Sequence, residues 1–592
     1  MMSLLLPGES LASVASALGG DTSGGLAPDP LLAPGEVLES GPPPRGLGRW
    51  FLEKWVRGMQ TAVDIIEGAH RAKLDPEDFL LGALQRMTLT HAHRDVCRLM
   101  KRHYGDDMPP IYWASVPTWD AENERRSETT IPMMLPHEYV AWAPDLDVDA
   151  WTAATPAIKE HLGTWKKQVK LDEAGPPVAP MTLWGDTAPY NNGRNSLFLL
   201  LWGSMCTFGK RFWLALLPKS QFCNCGCNGL HTIEEIWRIV SWSFAALMAG
   251  VMPAVDHAGR AFSDNWRLSK VLQPLPIRGA VLQFRGDWSW LSWCFGVETH
   301  MANQMCMLCR ACRSAEAPFT DPSLDAAWRS QVWDHESWMR NRLLTASFVS
   351  GVFGIPGFRF EMVTLDWMHM CDLGIAQVAM GNILFEAFQR LGGLITKPQK
   401  GMKDLVDLLK AAAHDIGSQW PFSSMSIEDI RPADRKPRLR AKAARTRVSV
   451  PIVLQFLKEY MTPRSVHERT VLQCMEHLSA MYICLQNWGE GSAAKLAESC
   501  RRHLLLFVAL ARESVDKDPA WLTWRWTPKH HAAIHLTQEQ VLRHGNPASY
   551  WCYLDEGEIG VAVDVAESVH AKTLAKAAFE KYVYLLAMER EQ

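Results

Sequence analysis

Two aspartates each follow a short apolar segment of the chain and have a glycine directly before them. Residues 181–184 come before a glycine and Asp186, and residues 279–284 come shortly before a glycine and Asp287. Short apolar runs bounded by turn residues indicate strands, and the end of a strand is a rigid mount for a side chain. Aspartate is also a common turn former and helix cap, and spacing alone favours these structural roles over a catalytic one.

Carboxylates that converge from strand ends would offer oxygen ligands to hard cations. Mg²⁺ and Mn²⁺ prefer such ligands. Two such ions ~3.5–4 Å apart stabilise both the attacking and the leaving oxygen of a phosphodiester displacement. If Asp186 and Asp287 belong to a set of two or three converging acids, the chemistry they predict is metal-dependent cleavage of nucleic-acid strands.

A second group of residues is rich in sulfur. Cys306, Cys309 and Cys312 have the spacing of a zinc knuckle, with His300 or His335 as the fourth ligand. We interpret this group as a structural zinc site that ties a long loop beside the second aspartate. The alternative is a set of reduced core thiols, because cysteine is often a small buried apolar residue.

Three more cysteines lie within five residues of one another. Cys223, Cys225 and Cys227 alternate along the chain and are followed by His231. In an extended segment, alternate side chains point to one face and could hold one metal ion. A short loop rarely supplies a full tetrahedral set, so a distant cysteine such as Cys206 is a candidate fourth ligand. Structural zinc and reduced thiols explain this group equally well.

The clearest local excess of charge is basic. Between residues 431 and 447 there is one acid, Asp434, against eight basic residues: Arg431, Arg435, Lys436, Arg438, Arg440, Lys442, Arg445 and Arg447. Such a segment could contact DNA phosphates or act as a nuclear import signal. The alternative is an ordinary solvated helix face.

The elements that must position these residues alternate between strands and helices. Residues 50–104 have apolar side chains at helical spacing, residues 231–252 read as a buried helix, and residues 375–515 are helical almost throughout. A last helix is predicted over residues 559–590. The predicted strands are residues 181–186, 196–202, 212–217 and 279–284. A three-strand meander, a helix and a later strand indicate an α/β arrangement.

The C-terminal part of the chain contains several weak motifs in a definite order. Residues 528–536 (PKHHAAIHL) lead through a Gly-Asn-Pro turn at 545–547 to an aromatic run that ends in an acid at 551–556 (WCYLDE). Upstream, residues 364–370 (TLDWMHM) carry an Asp-x-Met-His element, and the second strand-end aspartate is followed by a Cys-x-x-Cys pair. With the first strand-end aspartate, this order resembles the catalytic region of CACTA (En/Spm-type) transposases over residues 176–590.

The resemblance implies an RNase H-like mixed sheet with a large all-helical insertion between the second and third acids. It also implies a DDE-type triad of Asp186, Asp287 and Glu556 that uses Mg²⁺ or Mn²⁺ to cleave and transfer DNA strands. Asp555 competes with Glu556 for the third position, and Glu558 lies close by. A domesticated, non-catalytic nucleic-acid-binding protein that retains the fold is the alternative, and a metal-dependent nuclease unrelated to transposition is a third hypothesis.

Four histidines in these motifs are not assigned to the catalytic set. Asp366 could orient His369, while His530, His531 and His535 follow one another on a predicted helix. A histidine on a partly apolar helix is more often a hydrogen-bonded core residue than a ligand, so all four are expected in the core.

The predicted organisation has five segments. They are a disordered tail at 1–48, a mostly helical region at 49–175, an RNase H-like core with zinc-knuckle-like loops at 176–374, a helical insertion at 375–527, and the rest of the core at 528–592.

Composition restricts the partners and the compartment. The 592 residues carry a net charge of −3, so nucleic-acid binding would depend on local basic segments. The long uncharged runs at 195–209 and 239–255 are shorter than the ~20 residues of a membrane-spanning helix, so no membrane partner is expected. We therefore expect a nuclear protein in a reducing compartment, with DNA as partner and self-association left open.

Overall fold

The computed structural model describes most of the chain after its first 45 residues. It covers residues 46–590 apart from 74, 76, 144, 192, 194, 208, 346–349, 393–397 and 518–521. The predicted disordered tail at 1–48 lies outside the described residues except for its last three positions, two of which already belong to the first helix.

Six strands form one mixed sheet, in the order β1-β2-β5-β4-β3-β6. The strands are β1 (Tyr112–Asp120), β2 (Arg125–Met133), β3 (Val178–Pro189), β4 (Ser196–Ser204), β5 (Phe212–Pro218) and β6 (Arg278–Arg285). Strands β3, β4 and β5 are an antiparallel meander, and β6 runs parallel to β3. The α/β prediction is confirmed, and the sheet contains both parallel and antiparallel pairs.

The central strands are apolar because helices and loops cover the sheet. Every residue of β5 and β6 is buried, as expected for strands that have no solvent-facing side. In the parallel pair, Trp184 on β3 lies opposite Arg285 on β6. The two residues after this pair are therefore a glycine and then Asp186 on one strand, and a glycine and then Asp287 on the other.

The β1–β2 hairpin differs from the predicted organisation, in which residues 49–175 are mostly helical. The hairpin joins the sheet at its edge, where Met133 pairs with Ala215. Its second strand is exposed and polar over most of its length, and prolines occur in both strands. These features resemble a loop in sequence because an edge strand tolerates both polar side chains and proline. The sheet therefore crosses the predicted boundary at residue 176.

The first helices form a small unit with its own core. They are α1 (Leu47–Val56), α2 (Ala62–Arg71), α3 (Phe79–Gln85) and α4 (Ala92–Tyr104). Their buried side chains pack together with Tyr584, Leu585 and Met588 of the last helix. Three helices connect the β1–β2 hairpin to β3: α5 (Pro136–Trp142), α6 (Val148–Thr152) and α7 (Pro156–Val169).

The remaining helices surround the sheet and extend beyond it. Those between β5 and residue 376 are α8 (Leu230–Ala249), α9 (Asn265–Lys270), α10 (Trp288–Phe295), α11 (His335–Thr345) and a π-helical turn at Met368–Ala376. The next six are α12 (Gln377–Arg390), α13 (Pro398–Asp415), α14 (Ile427–Ile430), α15 (Ala443–Glu459), α16 (Val466–Gln486) and α17 (Ser492–Lys517). The last are α18 (Pro528–His535), a π-helical turn at Leu536–Gln540, α19 (Val541–His544), α20 (Tyr553–Glu567) and α21 (Leu574–Arg590).

The described residues between 377 and 517 contain helices and no strand. Their buried side chains join those of the sheet in one continuous apolar core. None of the helices in the described part of the chain combines the length and the apolar character needed to cross a membrane.

Candidate active site and metal centres

Asp186 and Asp287 lie side by side near the carboxyl-terminal ends of the parallel strands β3 and β6. Asp186 is near the end of β3 and accepts a hydrogen bond from the Thr187 backbone N–H at 2.6 Å. Asp287 caps α10 by accepting the Trp290 backbone N–H at 2.5 Å. The structural role that the sequence left open for Asp287 is therefore present, and it holds the carboxylate next to Asp186.

The glycines before these aspartates make room for a tryptophan. A Cβ atom on Gly185 or on Gly286 would lie 2.2 Å from the ring of Trp290. That ring is buried against the two strand ends. The two glycines therefore have a packing role, because any larger residue would collide with Trp290.

Three acids crowd the start of α20, and their side chains go to different places. Asp555 is fully buried and accepts hydrogen bonds from Arg211 and Arg285, each at 2.9 Å. Glu558 accepts a hydrogen bond from the indole N–H of Trp213 at 3.1 Å. Glu556 alone of the three turns toward the strand-end aspartates, and it is 33% exposed.

His369 lies between Asp366 and Glu556. Its Nδ1 is 2.7 Å from Asp366, and its Nε2 is 3.7 Å from the Glu556 carboxylate. The other oxygen of Asp366 accepts the Cys552 backbone N–H at 2.8 Å. Burial alone would lower the pKa of His369, but the hydrogen bond and charge of Asp366, together with the charges of Glu556 and Asp287, raise it. His369 is therefore part of the acidic site rather than a core histidine.

The electrostatics of the site relate the acids in two pairs, Asp186 with Asp287 and Asp186 with Glu556. Burial, followed by the charge of Asp287, raises the pKa of Asp186 to about 6. Burial also raises the pKa of Glu556 to about 7; the charge of Asp186 adds to this rise, while that of His369 opposes it. A divalent cation would stabilise carboxylates placed in this way, since its charge offsets their repulsion.

Lys529 on α18 is a basic residue beside these acids that the sequence did not single out. Its ammonium group donates to the Leu373 carbonyl at 2.9 Å. Burial lowers the pKa of Lys529, while the charges of Asp287 and Asp366 act in the opposite direction. No local motif marks this lysine, because it reaches the site through contacts between segments distant in the chain.

The Cys-x-x-Cys pair meets two histidines of α18. One ligand atom from each of Cys306, Cys309, His531 and His535 lies within 4.8 Å of the others, and all four residues are buried. The Cys309 sulfur is 3.2 Å from His531 Nε2 and 3.3 Å from His535 Nε2, and the two Nε2 atoms are 3.2 Å apart. A tetrahedral zinc ion with Zn–N of about 2.05 Å and Zn–S of about 2.3 Å would place such pairs about 3.3–3.6 Å apart. The donor set therefore fits zinc.

The ligands of this group differ from the predicted set. Cys312 lies outside it, and its sulfur is instead 2.9 Å from the Ser314 hydroxyl. His335 accepts the Phe360 backbone N–H, and neither it nor His300 belongs to the group. A metal-bound histidine commonly has its second ring nitrogen hydrogen-bonded to a carboxylate. Glu539 supplies that carboxylate for His535, and its Oε1 lies 2.8 Å from His535 Nδ1.

The second cysteine cluster also includes a histidine. Cys223, Cys225, Cys227 and His231 bring one ligand atom each within 4.8 Å of the others. Cys206, the suggested distant ligand, is not part of the group. The hydrogen bond from Arg126 lowers the pKa of the Cys225 thiol to about 6.

One interpretation of the basic segment was a solvated helix face. In the structure, most of the segment lies outside helices. Residues 431–442 lie outside any helix, and α15 begins at the following residue. The segment is tied to α12, since the Leu439 N–H donates to the Gln377 carbonyl at 2.8 Å. A Cβ on Gly381 of α12 would lie 2.1 Å from the Arg438 Cα, so the helix needs a glycine there. Leu439 is buried while its neighbours Arg438 and Arg440 are exposed.

Most of the basic side chains of this segment are exposed. The exposed ones are Arg435, Arg438, Arg440, Lys442 and Arg445, with Lys436 half-buried beside them. Arg447, on the first turn of α15, lies over the rings of Trp551 and Tyr553 at 4.6 and 5.1 Å. Tyr553 is three residues before Glu556 on α20, so Arg447 joins the end of the basic segment to the helix that carries the third acid.

No protein-family model matches the chain, and no curated protein matches it either.

Proposed function

We propose that this chain is a transposase-derived protein that cleaves and transfers DNA strands at a DDE-type site. The observation that carries the proposal is the convergence of Asp186, Asp287 and Glu556 at one edge of the sheet. The first two come from adjacent parallel strands. The third comes from a helix far along the chain, yet the charge of Asp186 contributes to its raised pKa.

The proposed fold is an RNase H-like core with a helical insertion. Three features support it: the antiparallel meander β3-β4-β5, the placement of β6 parallel to β3, and the helix α20 that carries the third acid. The helices from α12 to α17 lie between the second and third acids in sequence, which is where the resemblance expects an insertion.

The three carboxylates are suited to Mg²⁺ or Mn²⁺. Bound there, the ions would stabilise the attacking and leaving oxygens of a phosphodiester displacement. Asp186 and Asp287 would hold them from the sheet, and Glu556 would complete the set from α20. His369, held by Asp366 at 2.7 Å, lies beside Glu556, with its Nε2 3.7 Å from the Glu556 carboxylate.

The basic segment is the proposed contact for DNA. Its exposed side chains can neutralise phosphates without reading the base sequence. Arg447 and the two rings beneath it connect this segment to the helix of the third acid. The same exposed residues support nuclear import, and a nuclear location is part of the proposal.

A structural zinc ion at Cys306, Cys309, His531 and His535 is also proposed. It would join the loop after β6 to α18, two segments that are distant in sequence. The fit rests on the buried donor set and on ligand spacings close to those of a tetrahedral site.

The test is Mn²⁺-dependent nicking of supercoiled plasmid by the full chain, followed by cleavage of the DNA that flanks its own gene. Asp186→Asn, Asp287→Asn and Glu556→Gln should each reduce nicking by at least about 10²-fold, because each removes a carboxylate that holds an ion. Asparagine at 287 can still cap α10. The matched control is Glu558→Gln on the same helix, which should retain activity.

Two outcomes would contradict the catalytic proposal. One is equal nicking by the wild type and all three variants. The other is a wild type that binds DNA but never cleaves it in Mg²⁺ or Mn²⁺, which would favour a domesticated binding protein. Nicking of plasmid without cleavage or joining of the flanking DNA would instead favour a nuclease unrelated to transposition.

A further inference from the structure

The turn between β5 and α8 gathers three thiols and an imidazole around one point. The Cys223 and Cys225 sulfurs are 3.5 and 3.4 Å from Nδ1 of His231. Cys227 completes the group, whose four ligand atoms all lie within 4.8 Å of one another. His231 is in the first turn of α8, so the helix and the turn contribute to the same cluster.

These spacings are those of a tetrahedral zinc site. With Zn–S of about 2.3 Å and Zn–N of about 2.05 Å, a sulfur and a nitrogen bound to one ion are about 3.6 Å apart. The two measured separations between sulfur and Nδ1 lie within about 0.2 Å of that value. A thiol that hydrogen-bonds to an imidazole has a similar spacing, so the argument for a metal rests on all four ligand atoms meeting within 4.8 Å of one another.

The backbone of the turn has the shape that such a cluster needs. Gly226, Asn228 and Gly229 all have positive φ, at 93°, 50° and 84°. These left-handed residues fold the chain back within a few positions. The Gly229 N–H then donates to the Cys223 carbonyl at 3.0 Å, which closes the turn. The thiols therefore converge without help from a distant cysteine.

An arginine from another strand balances the charge of this cluster. Three thiolates and a neutral imidazole around Zn²⁺ carry a net charge of −1. Arg126 on β2 lies 3.1 Å from the Cys225 sulfur and 3.3 Å from His231 Nε2. With Nδ1 bound to metal, Nε2 would carry a proton, and the exposed Arg126 side chain would keep its contact with sulfur. Such an outer contact is typical of metal centres.

We propose that Cys223, Cys225, Cys227 and His231 form a second zinc site, independent of the proposed DNA chemistry. The site would hold the end of β5, the start of α8 and the exposed strand β2 together. The turn packs against elements that lie next to the two aspartates: Phe222 contacts Phe198 of β4 edge-to-face and stacks on Trp293 of α10. Zinc would therefore stabilise a turn that packs beside the proposed active site. It would not take part in the chemistry there.

The test is the metal content of the full chain, purified after expression with added zinc. The wild type should contain about two zinc ions per chain, one for each cysteine-histidine group. Cys225→Ser/Cys227→Ser should lose about one of them. The matched control, Cys97→Ser/Cys206→Ser, changes two cysteines outside both groups and should keep both ions.

A second measurement does not depend on the variants. X-ray absorption of the zinc in the wild type should give an average of about 2.5 sulfur ligands per ion if both sites are filled, and about 2 if only the Cys306 site is filled. A value of 2, or unchanged zinc in Cys225→Ser/Cys227→Ser, would overturn the proposal. A wild-type chain that holds both zinc ions but does not cleave DNA would instead count against the proposed function. The proposal of this second zinc site would then still stand.

Discussion

Asp555 and Glu556 are neighbours in sequence, but their side chains leave α20 in different directions and have different roles. Successive residues of an α-helix point about 100° apart. Asp555 faces the sheet, where it is fully buried between Arg211 and Arg285. Arg285 is the last residue of β6, and it also donates to the Tyr550 carbonyl at 2.7 Å. The ion pairs thus fix the start of the helix on the sheet and direct Glu556 toward the strand-end acids.

Asp555→Asn should strongly lower the free energy of unfolding, although asparagine has nearly the same shape as aspartate. Asp555→Asn leaves two buried guanidinium groups without their counter-charge, and breaking a buried pair costs roughly 3–5 kcal/mol of unfolding free energy. The measurement is urea denaturation followed by circular dichroism. Glu567→Gln, an exposed acid of the same helix, is the matched control. A loss for Asp555→Asn no larger than for the control would contradict the interpretation.

At the level of elements, the sequence predicted those whose apolar pattern is strong. The strands that carry Asp186 and Asp287 were recognised because buried central strands are continuous apolar runs. The hairpin β1–β2 was missed because its polar residues and prolines match an exposed loop as well as an edge strand. The basic segment was considered as a helix face, whereas alternating exposure around Leu439 shows an extended chain.

The proposed zinc ligands on α18 carried a signal that composition alone does not reveal. His531 and His535 are four residues apart, so both lie on one face of a helix. That spacing, with a Cys-x-x-Cys pair elsewhere, is a metal-site pattern. Cys312 was preferred only because it is close in sequence to Cys306 and Cys309.

Loss of this zinc should loosen two elements together. In Cys309→Ser, the loop after β6 and α18 lose their shared ion, so amide exchange should rise over residues 300–333 and 528–544, while β3 to β5 stay protected. The measurement is hydrogen–deuterium exchange of the full chain. Cys312→Ser is the matched control, since its sulfur lies outside the ligand group. Equal exchange in the two variants would rule out this metal centre.

In the molecule as a whole, the helices after residue 376 are part of the architecture of the site. Asp372 accepts hydrogen bonds from Tyr482 on α16 at 2.6 Å and from Tyr553 on α20 at 2.7 Å. Arg447 lies over the same Tyr553 ring. Contacts of this kind join segments that are distant in sequence, so periodicity and spacing gave no indication of them. They connect the basic segment to the helix that carries Glu556.

This connection predicts how DNA affinity responds to the basic segment. In Arg438→Ala/Arg440→Ala/Lys442→Ala, three exposed charges are lost, so the plot of log affinity against log salt should become shallower by about 2.7. Affinity should fall to a similar degree for every DNA sequence, because phosphate contacts carry no sequence information. The measurement is fluorescence anisotropy with unrelated duplexes at several salt concentrations.

The matched control removes the same number of basic residues from the N-terminal helical unit. Arg98, Lys101 and Arg102 on α4 are all exposed, and their triple alanine variant should keep the wild-type salt slope. Net charge changes equally in the two triple variants, so a difference between them reports position rather than overall charge. If both variants lose affinity equally, DNA is attracted by the general charge of the molecule. The proposed DNA contact at the basic segment beside Trp551 and Tyr553 is then wrong.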